Sequence, residues 1–284
     1  MHAKSPQLEA TLSDAEFIRY SRSLMLADDG DKRQLRLKNA RVLLLGLGGL
    51  GCPVATTLVG AGIGQLTIID GDKVELSNLP RQSLYQTTDI GKPKAGVAAA
   101  RLRLHNPHPR LTVLACRPDD QQLRQAITAC DVLVDCSDNL PTRLQLNRLA
   151  REAGKPLFAG AVSGNSAQLY LLSPATACYQ CLVDPDWQAL QNCRTLGVDP
   201  ALVALTAQQL ALLLLRFLQA EPVPYADVAP HDTGLPFGHY ARYQQWGQGQ
   251  NTVSGFHWYA LQTNPLCDCC AHATAANHFT ATGV

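Results

Sequence analysis

Short apolar runs recur along the first half of the chain, each ending at glycines or acids or leading into a polar stretch. A short continuous apolar run is typical of a strand that is buried on both faces of a parallel sheet. Such runs occupy residues 41–45 (RVLLL), 65–70 (QLTIID), 111–115 (LTVLA) and 131–135 (DVLVD). We therefore expect these four segments to be parallel strands.

The stretches between the apolar runs predict helices. Residues 12–38 also read as helical, with Ser13 as the N-cap of a capping box completed by Glu16. Another expected helix follows the glycines after residue 45 and ends near residues 60–64. Three more are expected at 94–104, 121–129 and 141–153. This alternation predicts an α/β protein with a Rossmann-like, doubly wound, mostly parallel sheet preceded by N-terminal helices.

The pattern changes after Phe158, where the alternation of strands and helices stops. Residues 221–255 are rich in Pro, Gly, Gln and His and predict loops and short strands, and we expect the tail from residue 271 to be flexible. The other expected segments are a short strand at 169–172, a cysteine-containing loop region at 178–200 and an apolar helix at 201–219.

The composition limits the partners of the chain. Its net charge is +1, which gives no electrostatic reason to expect nucleic acid or an anionic membrane as a partner. The first residues lack the apolar segment of a signal peptide, and the longest apolar run, 207–218, is interrupted by polar residues and too short to span a bilayer. We expect a cytoplasmic protein, in which ten cysteines indicate metal ligation or thiol chemistry rather than disulfides.

A glycine-rich turn follows the first strand and opens a helix. Glycines let the backbone approach phosphate closely, and a helix N-terminus favours anions. The turn contains Gly46, Gly48, Gly49 and Gly51, and Asp70 ends the next strand, where it is placed to bind ribose hydroxyls. These features alone favour an NAD-dependent dehydrogenase, and a turn needed only for packing is the alternative.

Polar residues after this acid favour a nucleoside triphosphate over a dinucleotide. A triphosphate carries more charge to neutralise, which suits two cations near the glycine turn. The cations are Arg81 and Lys94, and Asp138 and Asn139 follow a strand at the same edge, where an acid can hold Mg²⁺ through water. Taken singly, each charge also fits a surface position. The segment that contains the arginine is Ser77, Asn78, Leu79, Pro80, Arg81 and Gln82.

Two Cys-x-x-Cys pairs lie far apart in the sequence. Cys178 with Cys181, and Cys267 with Cys270, have the spacing of a tetrahedral zinc site that joins two distant segments. Four thiolate ligands indicate a structural Zn²⁺, and a thioredoxin-like redox pair is the alternative. Cys269 is surplus to this set and is an alternative ligand to Cys270.

Cys193 lies in the polar sequence Asn192-Cys193-Arg194-Thr195. A neighbouring cation lowers the pKa of a thiol and so favours the nucleophilic thiolate. Cys193 is therefore a candidate nucleophile, and a cysteine without a chemical role is the alternative.

Taken together, these motifs resemble one family over residues 14–220 and 256–270. In order they are RYSR at 19–22, GLGGLG, Asp70, SNLPRQ, KPK, DCSDN, CYQCL and NCRTLGV. The chain is identified on them as a member of the ThiF/MoeB/HesA family, which is related to the ubiquitin-activating enzymes. The glycine turn by itself is far less specific than this ordered series.

The resemblance implies a role for each matching position. The 46–51 loop and Asp70 hold ATP, and Asp138 binds Mg²⁺. Arg22 resembles the family's arginine finger, which reaches across a homodimer interface into the neighbouring subunit's site. The residues that contact the phosphates are Asn78, Arg81, Gln82 and Lys94, and the Zn²⁺ ligands are Cys178, Cys181, Cys267 and Cys270.

The implied activity is ATP-dependent adenylation of the C-terminal Gly-Gly carboxylate of a small ubiquitin-like sulfur-carrier protein. Residues 192–198 (NCRTLGV) resemble ThiF, which serves thiamin thiazole synthesis, more than MoeB, which serves molybdopterin synthesis. In ThiF the cysteine that matches Cys193 becomes linked to the carrier through sulfur. A ThiS-like carrier and a cysteine desulfurase are the expected protein partners.

We expect the 284 residues to form a single adenylating domain. Its expected parts are an N-terminal helical arm (1–40), a nucleotide-binding core (41–158), a carrier-binding and zinc-stapled extension (159–270) and a flexible tail (271–284).

Two departures from the family pattern leave the carrier open. Pro80 replaces a residue that is usually polar, and residues 221–255 are longer than the ordinary ThiF connection. That segment matches the part of the family that cradles the carrier, so MoeB-like activation or a carrier of specialised sulfur metabolism remains an alternative. An NAD-dependent oxidoreductase and a non-catalytic partner subunit are the alternatives from other classes.

Overall fold

The structure, a computed structural model, describes residues 11–182, 197–221, 235–246 and 253–270. Within these ranges one eight-stranded sheet carries helices on both faces. The strands are β1 (Arg41–Leu45), β2 (Gln65–Ile69), β3 (Arg110–Leu114), β4 (Val132–Asp135), β5 (Leu157–Ser163), β6 (Ser166–Leu172), β7 (His239–Trp246) and β8 (Val253–Ala260). The helices are α1 (Asp14–Leu24), α2 (Gly30–Asn39), α3 (Gly51–Ala61), α4 (Lys94–His105), α5 (Asp120–Thr128), α6 (Leu140–Glu152) and α7 (Pro200–Gln219).

The sheet has the strand order β3-β2-β1-β4-β5-β6-β7-β8. Strands β1 to β5 pair in parallel, and β5 to β8 pair antiparallel. The chain runs outward from β1 to β3 and then returns to place β4 on the other side of β1. The expectation of a doubly wound, mostly parallel sheet is thus confirmed.

The parallel half of the sheet is buried on both faces. In β1, Val42 and Leu44 join a cluster with α3, α4 and α7, whereas Leu43 and Leu45 join a second cluster with α5 and α6. Successive side chains of a strand point to opposite faces, so every position of β1 from Val42 to Leu45 needs an apolar residue. This is why the strand reads as one uninterrupted apolar run.

Helix α7 is the one helix in the described residues that is long and apolar enough to span a membrane. It instead lies against β5 and β6, where Leu210 and Leu214 are fully buried. The Phe217 ring lies 5.4 Å from the rings of both Phe158 and Phe237, centroid to centroid. Its apolar character is thus that of a core helix.

Several predicted boundaries were wrong. The arm predicted as helical over 12–38 is two helices, α1 and α2, and β5 was missed because Ala and Gly interrupt its apolar pattern (LFAGAVS). The predicted strand at 169–172 begins earlier, at Ser166. Strands β7 and β8 have eight residues each, not the short strands expected. Their polar residues reflect antiparallel pairing, which leaves one face of a sheet open to solvent.

Helix α1 begins at the predicted capping box. Ser13 Oγ accepts a hydrogen bond from the Glu16 backbone N–H at 3.3 Å, and Glu16 Oε2 accepts one from the Ser13 backbone N–H at 2.9 Å. Lys38 of α2 lies 2.7 Å from the same Glu16 carboxylate. Tyr20 is buried, and its hydroxyl accepts a hydrogen bond from Asn106. These contacts fix the N-terminal helices on the sheet domain.

The glycine turn between β1 and α3 is closely packed. Gly46 has φ +92°, and a Cβ added there would lie 2.7 Å from the carbonyl oxygen of Cys136. A Cβ on Gly51 would lie 1.9 Å from the carbonyl oxygen of Gly46. The first position requires glycine for its backbone conformation and the second for the close backbone approach.

We expect Gly51→Ala to destabilise the protein by ~3 kcal/mol, the upper part of the range for forcing extra atoms into a packed site. Gly96 in α4 is the matched control, because an added Cβ meets nothing within 4 Å there. Gly96→Ala should stabilise the helix by about 0.5–1 kcal/mol, since alanine has the higher helix propensity. Urea unfolding of both variants measures the difference, and equal effects would contradict the packing argument.

Candidate functional site

The strand order of the sheet reverses between β1 and β4. Ligands of open α/β sheets bind at the carboxyl ends of the strands, where this reversal opens a crevice. The glycine turn follows β1, and residues 136–139 follow β4, so the two segments meet at this position. The close approach of Gly46 to Cys136 holds them together.

Asp70 fixes the glycine turn from the end of β2. Its Oδ2 accepts a hydrogen bond from the Leu47 backbone N–H at 2.7 Å, and its Oδ1 accepts one from Asp72 N–H at 2.8 Å. Tyr85 donates its hydroxyl hydrogen to the carbonyl oxygen of Leu47 at 2.9 Å. Burial raises the pKa of Asp70 above its ordinary value. Each carboxylate oxygen retains a further lone pair, as a ribose hydroxyl requires.

The predicted 77–82 segment lies beside this turn. The stem of Arg81 packs on Gly49, where an added Cβ would lie 3.4 Å from Arg81 Cγ, and its Nη1 donates to the Ser77 carbonyl oxygen at 2.9 Å. Gln82 is 3% exposed, and its Oε1 is buried without a hydrogen-bond partner among the described residues. A buried acceptor without a donor is costly, so it fits a site that a ligand completes.

The other members of this segment differ in exposure. Asn78 is buried, Leu79 is half-buried and packs on the core, and Ser77 and Pro80 are exposed. Asn78 Nδ2 donates to Ser77 Oγ at 3.3 Å. The polar groups of the segment therefore lie at two depths, with Asn78 and Gln82 inside and Ser77 and Arg81 nearer the surface.

Lys94 is the first residue of α4, and its side chain is only 7% exposed. Its Nζ lies 3.6 Å from Asp72 Oδ2, longer than a hydrogen bond. A buried ammonium at the N-terminus of a helix is unfavourable unless an anion is close. This position beside the glycine turn suits a phosphate ligand.

Residues 136–139 are held by a buried pair of opposite charges. Asp135 Oδ1 accepts hydrogen bonds from the Ser137 backbone N–H and hydroxyl at 2.8 and 2.6 Å, and Arg143 donates to the Ser137 carbonyl oxygen at 2.5 Å. Asn139 caps α6, because its Oδ1 accepts the Thr142 N–H at 3.0 Å. Asp138 lies between these fixed residues and is exposed at the edge of the sheet.

Arg22 lies apart from these residues. It is exposed on α1, and no hydrogen bond or ion pair of the described chain joins it to the glycine turn. The side chains around it on α1 and just after it are exposed and apolar: Phe17, Ile18, Met25 and Leu26. An apolar patch of this kind on a monomer is typical of a protein–protein interface.

The four predicted zinc ligands meet at one point. The Sγ atoms of Cys178, Cys181, Cys267 and Cys270 all lie within 4.8 Å of one another. The Sγ–Sγ distances are 3.9 Å for Cys178–Cys181, 3.6 Å for Cys178–Cys267 and 3.4 Å for Cys181–Cys270. A tetrahedral zinc site with ~2.3 Å bonds has sulfur–sulfur edges of ~3.8 Å, so the geometry fits Zn²⁺.

Cys269 and Asn147 lie against this thiol cluster. Asn147 Nδ2 donates to Cys269 Sγ at 3.3 Å, and Asn147 Oδ1 accepts the Tyr179 backbone N–H at 2.9 Å. A hydrogen bond between Cys178 and Cys269 lowers the pKa of Cys178, which favours the metal-binding thiolate. Because the compact set contains Cys270, the geometry favours Cys270 over Cys269 as the fourth ligand.

The remaining five cysteines differ in placement, and Cys116 among them is half-buried. Cys193 lies outside the described residues, so its predicted role stays a prediction. Cys52, Cys130 and Cys136 are buried among apolar side chains. Burial raises the pKa of Cys52 and of Cys130 to about 12, which leaves little reactive thiolate at neutral pH.

Two residues at the same carboxyl edge of the sheet were missed from the sequence. Asp72 follows β2 by three residues and faces Lys94, and Arg117 follows β3 by three residues and lies 3.1 Å from Asp72 Oδ1. The rule that selected Asp70, a polar residue at the carboxyl end of a strand, would have selected both.

Comparisons with known proteins show the family to which the chain is related. A model of the ThiF family matches residues 20–245. The sulfur carrier protein ThiS adenylyltransferase of Escherichia coli is 38% identical over 223 residues, which cover 78% of this chain and 89% of that protein. The sulfur carrier protein adenylyltransferase of Thermus thermophilus is 35% identical, over 90% of this chain and 91% of that protein.

Two further comparisons extend the picture. The molybdopterin-synthase adenylyltransferase of Salmonella typhimurium is 36% identical, over 74% of this chain and 85% of that protein. The crystal structure of E. coli MccB with ATP superposes with a TM-score of 0.72 at 23% identity, over 93% of this chain and 75% of that one, which is a likeness of fold. On the family match over residues 20–245 and the identity to these relatives, the chain belongs to the ThiF family.

Proposed function

We propose that this protein uses ATP to adenylate the C-terminal carboxylate of a small ubiquitin-like sulfur-carrier protein that ends in Gly-Gly. The observation that carries the proposal is the buried Lys94 ammonium beside the glycine turn, at the reversal of the strand order. The unpartnered Gln82 Oε1 in the same place supports a bound ligand. The names of relatives from E. coli and T. thermophilus support the carrier as the second substrate.

The proposed reaction is a direct displacement at the α-phosphorus of ATP. A carboxylate oxygen of the carrier forms a bond to this phosphorus, and the bond from the phosphorus to the oxygen that leads to the β-phosphate breaks. The products are the acyl-adenylate and pyrophosphate. No nucleophile of the protein is needed, so the chain acts by orienting the substrates and stabilising charge.

Each proposed role follows from a position in the site. Helix α3 has no side-chain cap, so the backbone N–H groups at its start face the phosphates. Asp70 accepts hydrogen bonds from the ribose hydroxyls. Lys94 and Arg81 neutralise phosphate charge, and Asn78 and Gln82 bind from the 77–82 segment. Mg²⁺ held through water by Asp138, with Asn139 beside it, would supply further positive charge.

The ThiS-like carrier of thiamin thiazole synthesis is our preferred substrate, with MoeB-like activation as the alternative. We further propose that Cys193 forms the sulfur link to the carrier and that a cysteine desulfurase supplies the sulfur. The open face of the antiparallel strands, with Tyr259 and Arg242 exposed, is the proposed carrier surface within residues 159–270. The four cysteines that meet in metal-site geometry bind Zn²⁺ as thiolates, which supports a reducing cytoplasmic location.

We propose that the chain works as one adenylating domain with the parts 1–40, 41–158 and 159–270. The tail, 271–284, lies outside the described residues. The contiguous sheet from β3 to β8 supports this unity, since it joins the nucleotide-binding and carrier-binding parts without a break.

ATP–pyrophosphate exchange with purified carriers tests the function. Lys94→Ala should lower carrier-dependent exchange by about 10²-fold or more, because one preorganised charge contact is worth that much in a transition state. Lys92→Ala is the matched control, since Lys92 is 56% exposed and pairs with Asp89. It should keep near wild-type exchange.

The carriers themselves separate the alternatives. Faster exchange with the ThiS-like carrier supports the thiamin assignment, and faster exchange with the molybdopterin-synthase carrier overturns it. If no carrier ending in Gly-Gly supports exchange while NAD binds, the adenylation proposal fails.

The exposed apolar patch around Arg22 supports a homodimer in which this arginine completes the partner's site. Arg22→Ala and Lys94→Ala should each abolish exchange, yet a mixture that exchanges subunits should regain about a quarter of wild-type activity, because half of the dimers then hold one complete site. Arg33→Ala, on an exposed arginine of α2, should remain active. Absence of recovery in mixed dimers would place Arg22 in its own subunit's site.

We expect about one zinc ion per chain by elemental analysis, because the four thiols match a closed tetrahedral site. Cys178→Ser should lose the metal and lower the melting temperature, since the site joins segments 178–181 and 267–270. Cys269→Ser is the matched control and should retain the ion. Loss of zinc from Cys269→Ser with retention in Cys270→Ser would assign the fourth ligand to Cys269.

A further inference from the structure

One carboxylate at the edge of the nucleotide site is shared by two cations of very different exposure. Asp72 Oδ2 lies 3.6 Å from Lys94 Nζ, and Asp72 Oδ1 lies 3.1 Å from Arg117 Nη2. The Lys94 side chain is 7% exposed and that of Arg117 is 80% exposed. The same acid therefore has one buried partner and one solvated partner.

Backbone contacts fix Asp72 in this position. Its carbonyl oxygen accepts the Lys94 N–H at 2.9 Å, so the acid and the lysine are held at the same end of α4. Its own N–H donates to Asp70 Oδ1 at 2.8 Å, and the other oxygen of Asp70 accepts the N–H of Leu47 in the glycine turn. Asp72 is thus connected through the Asp70 carboxylate to the backbone that faces the proposed phosphates.

Arg117 is held at the same edge by packing. A Cβ added to Gly71 would lie 2.7 Å from Arg117 Cγ and 2.8 Å from its backbone nitrogen, so residue 71 must be small for the two segments to meet. The hydrogen bond to Asp72 raises the pKa of Arg117, and the charges of Asp138 and Asp70 add to this effect. Arg117 therefore lies within electrostatic range of both acids of the proposed nucleotide site.

The balance of charge at Asp72 favours its ionised form. Burial raises the pKa of Asp72, but the hydrogen bond from Arg117 and the charges of Lys94 and Arg117 outweigh it, so the net pKa is lowered. A buried ammonium that leaves such a carboxylate for another anion would strand a negative charge, which is unfavourable in a partly buried site.

We propose that Asp72 and Arg117 form an exchangeable counter-ion system that releases Lys94 to the phosphates of ATP. This inference rests on the proposed function, in which Lys94 binds phosphate. In the unbound site Asp72 balances the buried Lys94. When the phosphates draw the ammonium away, the hydrogen bond with Arg117 keeps the carboxylate balanced. Arg117 is therefore a positioning residue that acts on the nucleotide through Asp72.

The dissociation constant of ATP, measured by calorimetry without any carrier, tests this role. Arg117→Ala should weaken ATP binding by roughly threefold to fivefold, the range that an exposed ion pair supports. Arg117→Lys should restore most of the affinity, because it keeps the charge. Arg124→Ala is the matched control, since Arg124 is exposed and pairs with Glu152 at 2.6 Å, and it should bind ATP as the wild type does.

Arg117→Ala in an Asp72→Asn background tests whether Arg117 acts on the nucleotide through Asp72 or by touching the nucleotide itself. Without the carboxylate, Arg117→Ala should cause no further loss of ATP affinity. An equal loss in both backgrounds would show that Arg117 touches the nucleotide itself, and an unchanged affinity of Arg117→Ala in the wild type would show that it has no role. Either result overturns the proposal.

The measurement also distinguishes this inference from the proposed function. If the wild-type protein binds ATP but gives no exchange with any carrier, the carrier as second substrate is refuted. The effect of Arg117→Ala on ATP affinity, compared between the wild-type and Asp72→Asn backgrounds, still decides the role of Arg117. Wild-type protein that binds no ATP would refute both. Thermal melting of each variant should match the wild type within a few degrees, because the Arg117–Asp72 pair is largely solvated and contributes little to stability.

Discussion

The rest of the site depends on the contact of the glycine turn with the chain after β4. At Gly46 the backbone has a positive φ and lies against the carbonyl group of Cys136, and at Gly51 it lies against Gly46 itself. No side chain fits at either contact, so two strand ends are brought together at backbone distance. The start of α3 and the acidic 136–139 segment consequently face the same crevice, which is where an α/β sheet binds its ligand.

The charges around this crevice are arranged by depth. Lys94 is buried and Arg81 lies nearer the surface, and a buried cation interacts more strongly with a phosphate because less water screens it. Burial also makes an unpaired lysine costly, which explains an acid such as Asp72 beside it. The positive charge at the crevice is thus buried and already balanced by a carboxylate.

Helix α6 connects this crevice with the thiol cluster. Its N-cap, Asn139, adjoins Asp138, Arg143 holds the Ser137 carbonyl group, and Asn147 binds both the Tyr179 backbone and Cys269. One face of a single helix therefore holds the 136–139 segment at one end and contacts the thiol cluster further along. A metal held by the four thiols would join the 178–181 and 267–270 segments beside this helix.

The sequence by itself determined the parallel half of the sheet and selected most of the residues that lie at its carboxyl edge. Strands such as β1 are buried on both faces, so they need uninterrupted apolar residues, and the glycine turn and Asp70 follow them at fixed positions. It did not reveal β5, whose small residues hide its burial, nor the length of β7 and β8, whose open face admits polar residues. Only the tertiary structure decided that Asp72 lies between Lys94 and Arg117 and that Asn147 contacts Cys269, since those contacts join segments that no local pattern relates.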